Sequence, residues 1–197
     1  IKRAPANKLG KKVAADFNNK LPFLFKVLDV NSMLSIQSHP TKKAAEIGFA
    51  KESKTDIAVT APNRTYRDDN HKPEVMVALT DFWLLHGFLQ KKELIENLKK
   101  TNELNFLLDV FKDGNYFELY KKVMEFPQKE VNTILKPLAE KISPKFLNNE
   151  LDKSSPEYWS AKVLNNKKSK DIDRGIFSIY FFNIVNLSKG EAIFQDA

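Results

Sequence analysis

Only three histidines and no cysteine occur in the 197 residues, so any metal or acid–base chemistry must come from imidazole, carboxylate, amide and amine groups. A thiolate zinc site, a catalytic thiol and a disulfide framework are excluded. The first histidine lies in Ser35-Ile36-Gln37-Ser38-His39-Pro40. In an extended chain the side chains alternate, so Ser35, Gln37 and His39 share one face and line up a hydroxyl, an amide oxygen and an imidazole. A polar, solvent-facing edge ending at Pro40 would carry the same pattern. The second cluster is Arg67-Asp68-Asp69-Asn70-His71-Lys72-Pro73-Glu74, which runs into the apolar stretch Val75 to Leu79. Pro73 biases the residue before it toward extended backbone, which puts Lys72 and Glu74 on one face at the mouth of a strand. A carboxylate held there beside a neighbouring strand's Gln37 and His39 would make a divalent-metal site. Imidazole and carboxylate suit zinc, and a catalytic zinc keeps one position open for water or substrate. A charged turn is the competing reading. His86, in Leu84-Leu85-His86-Gly87-Phe88, sits in an apolar strand end and reads as structural rather than as a ligand.

These residues need elements to hold them, and the chain's texture changes three times. From Leu21 to Phe88 the apolar runs suit strands: Phe23 to Val30, Met33 to Gln37, Val75 to Thr80 and Phe82 to Leu85, separated by Pro, Asn and Asp clusters. One short helix is predicted between Thr41 and Ser53, with Thr41 as its N-cap. From Gln90 to about Asn166 the period becomes 3.6. Leu94/Ile95/Leu98, Leu104/Leu107/Phe111, Leu119/Tyr120/Val123 and Val131/Leu135/Leu138 form apolar stripes of four or five helices, and Pro137 and Pro144 are expected to kink or end helices. After Asp171-Ile172-Asp173-Arg174-Gly175 the pattern predicts a strand over Ile176 to Leu187, a turn at Ser188-Lys189-Gly190 and a strand over Glu191 to Phe194. The order strands, helices, strands predicts a β domain with a helical domain inserted: residues 1–88, 89–170 and 171–197.

Composition narrows the class. At 42% hydrophobic and 29% charged, with 15 Phe, the chain is that of a globular protein with a sizeable core. Its longest apolar runs fall short of the roughly 18 residues a membrane-spanning helix requires. The net charge of +7 is spread over lysines interleaved with Glu, Asp and Asn, with no single aromatic-lined stripe. No nucleic-acid or membrane partner is therefore expected. The absence of cysteine fits a reducing, cytoplasmic location. The chain opens Ile1-Lys2-Arg3 with no Met and no apolar leader segment, which reads as part of a longer polypeptide without a signal peptide.

The strings Ser35-Ile36-Gln37-Ser38-His39-Pro40 and Asp68-Asp69-Asn70-His71-Lys72-Pro73-Glu74, with Asp173 to Phe194, resemble the type I phosphomannose isomerases. The resemblance runs over nearly the whole chain, is strongest in those three stretches and loosest in the helices. It implies a cupin-like antiparallel β barrel (jelly roll) with an inserted α-helical domain, in a monomeric zinc enzyme that interconverts mannose 6-phosphate and fructose 6-phosphate through an enediol. By the same resemblance Gln37, His39 and Glu74 bind zinc, Ser35 and Lys72 line the pocket of the sugar phosphate, and a fourth ligand, a histidine, is expected beyond Ala197. The family's substrate-phosphate and acid/base residues, including an arginine, also lie largely downstream. A cupin-like protein that kept a partial metal site but no activity is the alternative. With three ligands instead of four, the 197-residue chain alone is expected to bind zinc weakly and to be inactive. A metal titration checks this, and nanomolar affinity would contradict it.

Overall fold

The computed structural model describes residues 3–166 and 170–197. The chain divides into two compact units at Ser35/Ile36.

In the first unit, α1 (Pro5–Leu9) takes Pro5 in its first turn, where the missing N–H costs nothing. Gly10, at φ +82°, separates it from α2 (Lys11–Asp16), and Asn18 and Asn19 end α2 in the left-handed region at φ 49° and 61°. The strand expected over Phe23 to Val30 does not form, nor does the one over Met33 to Gln37; among the described residues neither segment joins a ladder. Phe23, Leu24 and Phe25 are 67%, 73% and 81% exposed, so neither alternating face is buried. The local pattern fits a strand, but a strand also needs a hydrogen-bonding neighbour, and that is a non-local property.

In the second unit, α3 (Lys42–Glu52) starts as its sequence predicts: the Thr41 hydroxyl accepts the Ala44 N–H at 3.3 Å. Then come β1 (Glu74–Val77) and β2 (Phe82–Phe88). The helical region follows with α4 (Lys91–Lys100), a 3₁₀ turn at Asn102–Leu104, α5 (Leu107–Val110), α6 (Tyr116–Glu125), α7 (Gln128–Leu147) and α8 (Pro156–Asn166). Gln90 and Glu93 form a reciprocal capping box on α4, and Asn115 caps α6 through the Glu118 N–H. The helix α7 runs through both Pro137 and Pro144 for 20 residues. Each proline removes a helical hydrogen bond, and the burial of Val131, Leu135, Leu138 and Ile142 along one stripe offsets that loss.

The run from Ile176 is the clearest departure from expectation. It is a helix, α9 (Gly175–Phe181), that passes directly into β3 (Phe182–Leu187). All six residues from Ile176 to Phe181 are buried, and a mostly apolar run that is buried on every side carries no period to distinguish helix from strand. The turn at Ser188 to Gly190 forms, but the strands flanking it do not pair as a hairpin. The strand β3 pairs antiparallel with β2, whereas β4 (Ala192–Gln195) pairs antiparallel with β1. Between Leu85 and Phe88 the register slips by one residue, with Gly87 at φ +65°. The Asn183 amide stitches this bulge by donating to the carbonyls of His86, Gly87 and Phe88 at 3.1, 3.3 and 3.0 Å.

One core joins the helices. Leu94 and Leu98 of α4, Leu119 of α6, Leu135 of α7 and Phe177 and Phe181 of α9 are all within 1% of full burial. Phe177→Ala should cost about 3 to 5 kcal/mol, from lost transfer energy plus the cavity left behind, read as a shift in the urea midpoint.

Candidate functional site

Glu74 is the first residue of β1, and its backbone is held opposite Gln195 by the ladder to β4. Two residues earlier the Lys72 side chain crosses to the segment 36–40. Its ammonium donates to Gln37 Oε1 at 2.6 Å and lies 3.4 Å from Glu74 Oε1. His39 Nε2 sits 3.6 Å from the other carboxylate oxygen of Glu74. Four of the five residues singled out from sequence, Gln37, His39, Lys72 and Glu74, thus converge. Gln37 and His39 reach the same cluster although no strand forms there, because extended backbone alone puts residues i and i+2 on one side. Ser35 is exposed and belongs to the first unit.

Burial is uneven across the cluster. The His39 side chain is only 9% exposed, while those of Lys72 and Glu74 are about half exposed, at 47% and 51%. His39 Nδ1 is buried without a hydrogen-bond partner. A buried ring nitrogen left unpaired is costly, and it makes His39 a group awaiting a further neighbour. The donor set, one imidazole nitrogen with a carboxylate and a carboxamide oxygen, fits zinc. The Lys72 ammonium shows that this spot already attracts positive charge, bridging the same two side-chain oxygens that a cation would use. Among the described residues there is no group of three His, Cys, Asp or Glu side chains able to hold a metal, so a third donor at this cluster would have to be the Gln37 amide oxygen. His86 lies in the β2 bulge, away from any such group. Its carbonyl accepts from Asn183, and its Nε2 is buried and unpaired.

Sequence reasoning missed the residues that hold the two arms of this cluster together. Lys42, three residues after His39, donates to the Asp69 carbonyl at 2.7 Å and lies 3.6 Å from its carboxylate; Asp69 is three residues before Lys72. Further back, the buried Arg64 pairs with Glu52 of α3 at 3.0 Å. The Glu52 carboxylate also accepts the backbone N–H groups of Tyr66 and Thr65 at 2.8 and 3.3 Å. The position of Lys42 in the first turn of α3 was a readable signal. Nothing in the spacing of Arg64 and Glu52 marked them.

The paired antiparallel strands and the helical bundle between them make up the phosphomannose isomerase fold, of the cupin-like family. Residues 1–91 match the family described as phosphomannose isomerase type I, catalytic domain. The mannose-6-phosphate isomerase of Mus musculus is 35% identical over 205 residues, covering 96% of this chain and 45% of the mouse protein. That of Escherichia coli K12 is 35% identical over 190 residues, covering 94% of this chain and 46% of the relative. A crystal structure of mannose 6-phosphate isomerase from Salmonella typhimurium, bound to its substrate fructose 6-phosphate and to zinc, matches 100% of this chain at a TM-score of 0.79 and 32% identity, with 49% of that chain covered. The chain is similar to the type I phosphomannose isomerases, and it spans somewhat under half the length of the curated relatives it matches.

The Glu52 carboxyl is held below the usual glutamate range, first by the Tyr66 N–H, with the Thr65 groups and Arg64 adding to it against a smaller opposing effect of burial. A depressed folded pKa contributes stability that is present above the ordinary value of 4.5 and is lost as pH falls through the folded value. Glu52→Gln should therefore lower the thermal midpoint at neutral pH, and the gap from wild type should close on acidification below that ordinary value. A pH-independent gap would show that the charge is not what matters.

Proposed function

We propose that the protein containing this chain is a zinc-dependent aldose–ketose isomerase that interconverts mannose 6-phosphate and fructose 6-phosphate. The observation that carries this reading is the convergence of Gln37, His39, Lys72 and Glu74, in which His39 Nε2 faces the Glu74 carboxylate at 3.6 Å. The names of the relatives and the substrate and zinc held by the Salmonella enzyme support it. In this reading Gln37, His39 and Glu74 hold zinc, and a histidine that the family places beyond the segment matching Glu191 to Phe194 completes the set. Bound zinc supplies Lewis-acid polarisation of the sugar oxygens, which lowers the cost of negative charge in an enediolate.

The isomerisation moves one proton from C2 of the aldose to C1 and one hydroxyl proton from O2 to O1, so no electron donor or acceptor is needed. Lys72 lines the substrate pocket with Ser35. Its ammonium offsets negative charge as it develops on the sugar oxygen, or holds the phosphate, by hydrogen bonding and Coulomb attraction. The two small sheets belong to a cupin-like antiparallel barrel whose first part is residues 1–88 and whose return portion, 171–197, supplies β3 and β4 after α9, with 89–170 as the inserted helical domain. The enzyme works as a cytoplasmic monomer on a small sugar phosphate, with no nucleic-acid or membrane partner; among the described residues no helix is long and apolar enough to cross a membrane.

The test is conversion of mannose 6-phosphate to fructose 6-phosphate by the protein extended to its natural ends. Turnover should vanish with a chelator and return with zinc. His39→Ala should lose zinc and activity together. Lys72→Ala should keep zinc, measured by atomic absorption, and lose turnover by about 100-fold or more. Full activity in both variants would overturn the site assignment.

A further inference from the structure

The two arms of the cluster, 36–41 and 70–74, share no backbone ladder among the described residues, so something else must set the distance between them. The segment from Ser53 to Asp69 joins α3 to the second arm and, past the backbone turns at the end of that helix, lies back along it through bonds that each use a side chain. The Arg64 guanidinium, 1% exposed, is the hub. It donates to the Tyr66 carbonyl at 2.7 Å, the Ile57 carbonyl at 3.1 Å, Ser53 Oγ at 2.8 Å and the Phe49 carbonyl at 3.4 Å, besides its ion pair with Glu52. Glu52 returns two bonds to the backbone at Thr65 and Tyr66. The Tyr66 ring lies against Gly48 of α3 so closely that a Cβ there would run into it. The Lys42–Asp69 contact closes the same fastening at the site end of the helix.

A planar, five-donor fork with a delocalised charge can hold several main-chain carbonyls and a carboxylate at once, which an ammonium on a flexible stem cannot. Because α3 begins three residues after His39, and the fastened segment ends three residues before Lys72, the orientation set at Arg64 is passed to both arms through a rigid helix and a short connection. We propose that Arg64, through Glu52 and Tyr66, is a positioning residue for the reaction: it sets the approach of the Gln37–His39 arm to the Lys72–Glu74 arm without touching substrate or metal. This rests on the isomerase reading for its functional consequence, though not for its geometry.

The experiment uses the full-length protein and two variants, Arg64→Lys and Gly48→Ala. The first keeps the charge opposite Glu52 but cannot satisfy the carbonyls. The second leaves every charge in place and pushes Tyr66 off the helix, in a residue exchange that otherwise favours helix formation. Zinc affinity is measured against a chromogenic chelator and expressed per folded molecule, with far-UV circular dichroism and the urea transition giving the folded fraction. Both variants should bind zinc about tenfold or more weakly per folded molecule, the scale seen when groups that orient metal ligands are altered. Their kcat should fall more than their KM rises. A crystal structure of metal-free Arg64→Lys should show His39 and Glu74 further apart than in the parent, and this arm needs no metal or turnover. Unchanged affinity per folded molecule together with an unchanged His39–Glu74 separation would overturn the proposal, as would losses that merely track the unfolded fraction. A parent protein that neither binds zinc nor turns over substrate would instead refute the isomerase reading, and the separation in the two metal-free structures would then decide the role of Arg64 alone.

Discussion

The second unit depends on two antiparallel ladders that join residues far apart in sequence, Glu74 opposite Gln195 and Phe82 opposite Leu187. Such pairings give nothing back until the intervening chain has been brought round, and the entropy of closing the loop opposes them. The helical insert removes most of that cost. Its core draws α4 against α9, and the Asn97 amide donates to the Tyr180 carbonyl at 2.7 Å while Leu89 N–H reaches the Phe181 carbonyl at 2.8 Å. Once residues 89 and 181 are neighbours, β2 and β3 are already aligned at one end. The ladder can then extend from the Asn183-stitched bulge toward Trp83 and Asn186. The ring of Trp83, 5.7 Å from that of Trp159, ties the same strand to α8.

The ladder between β1 and β4 turns this packing into a site. It fixes the backbone of Glu74, and Pro73 keeps the chain extended ahead of it. Lys72 is therefore presented two residues away on the same side, toward Gln37. The other half of the cluster has no ladder and depends on fastenings between side chains and backbone along α3. This division matches the burial. His39 is nearly enclosed, on the arm held by those fastenings, and Lys72 and Glu74 remain about half open to water.

Several features set by short-range rules formed as expected, although α7 continues through both Pro137 and Pro144. The N-cap at Thr41, the apolar stripes through Leu94 and Leu98 or Val131 and Leu135, and the extended run into Glu74 follow from short-range rules of spacing and capping. The places that misled are those where local pattern is degenerate. Ile176 to Phe181 is buried throughout and mostly apolar, so it is silent about its own period, and it became a helix because it is surrounded by the helical core. Phe23 to Val30 has a strand's composition yet forms none among the described residues, since β structure is a contract between two segments. The strands on either side of the turn at Ser188 to Gly190 do not pair with each other: β3 and β4 pair with β2 and β1, from before the helices.

The sequence by itself determined which groups were available and the spacing within each arm: Gln37 two residues before His39, Lys72 two before Glu74, with no cysteine to offer another chemistry. Those are consequences of backbone alternation and side-chain type, which act over a few residues. Only the tertiary structure decided that the arms face each other at 2.6 to 3.6 Å, that His39 keeps an unpaired buried nitrogen, and that Arg64 is enclosed with all three guanidinium nitrogens engaged. The reason is that distance between arms and burial are set by contacts among residues far apart in the chain, and no local pattern records those.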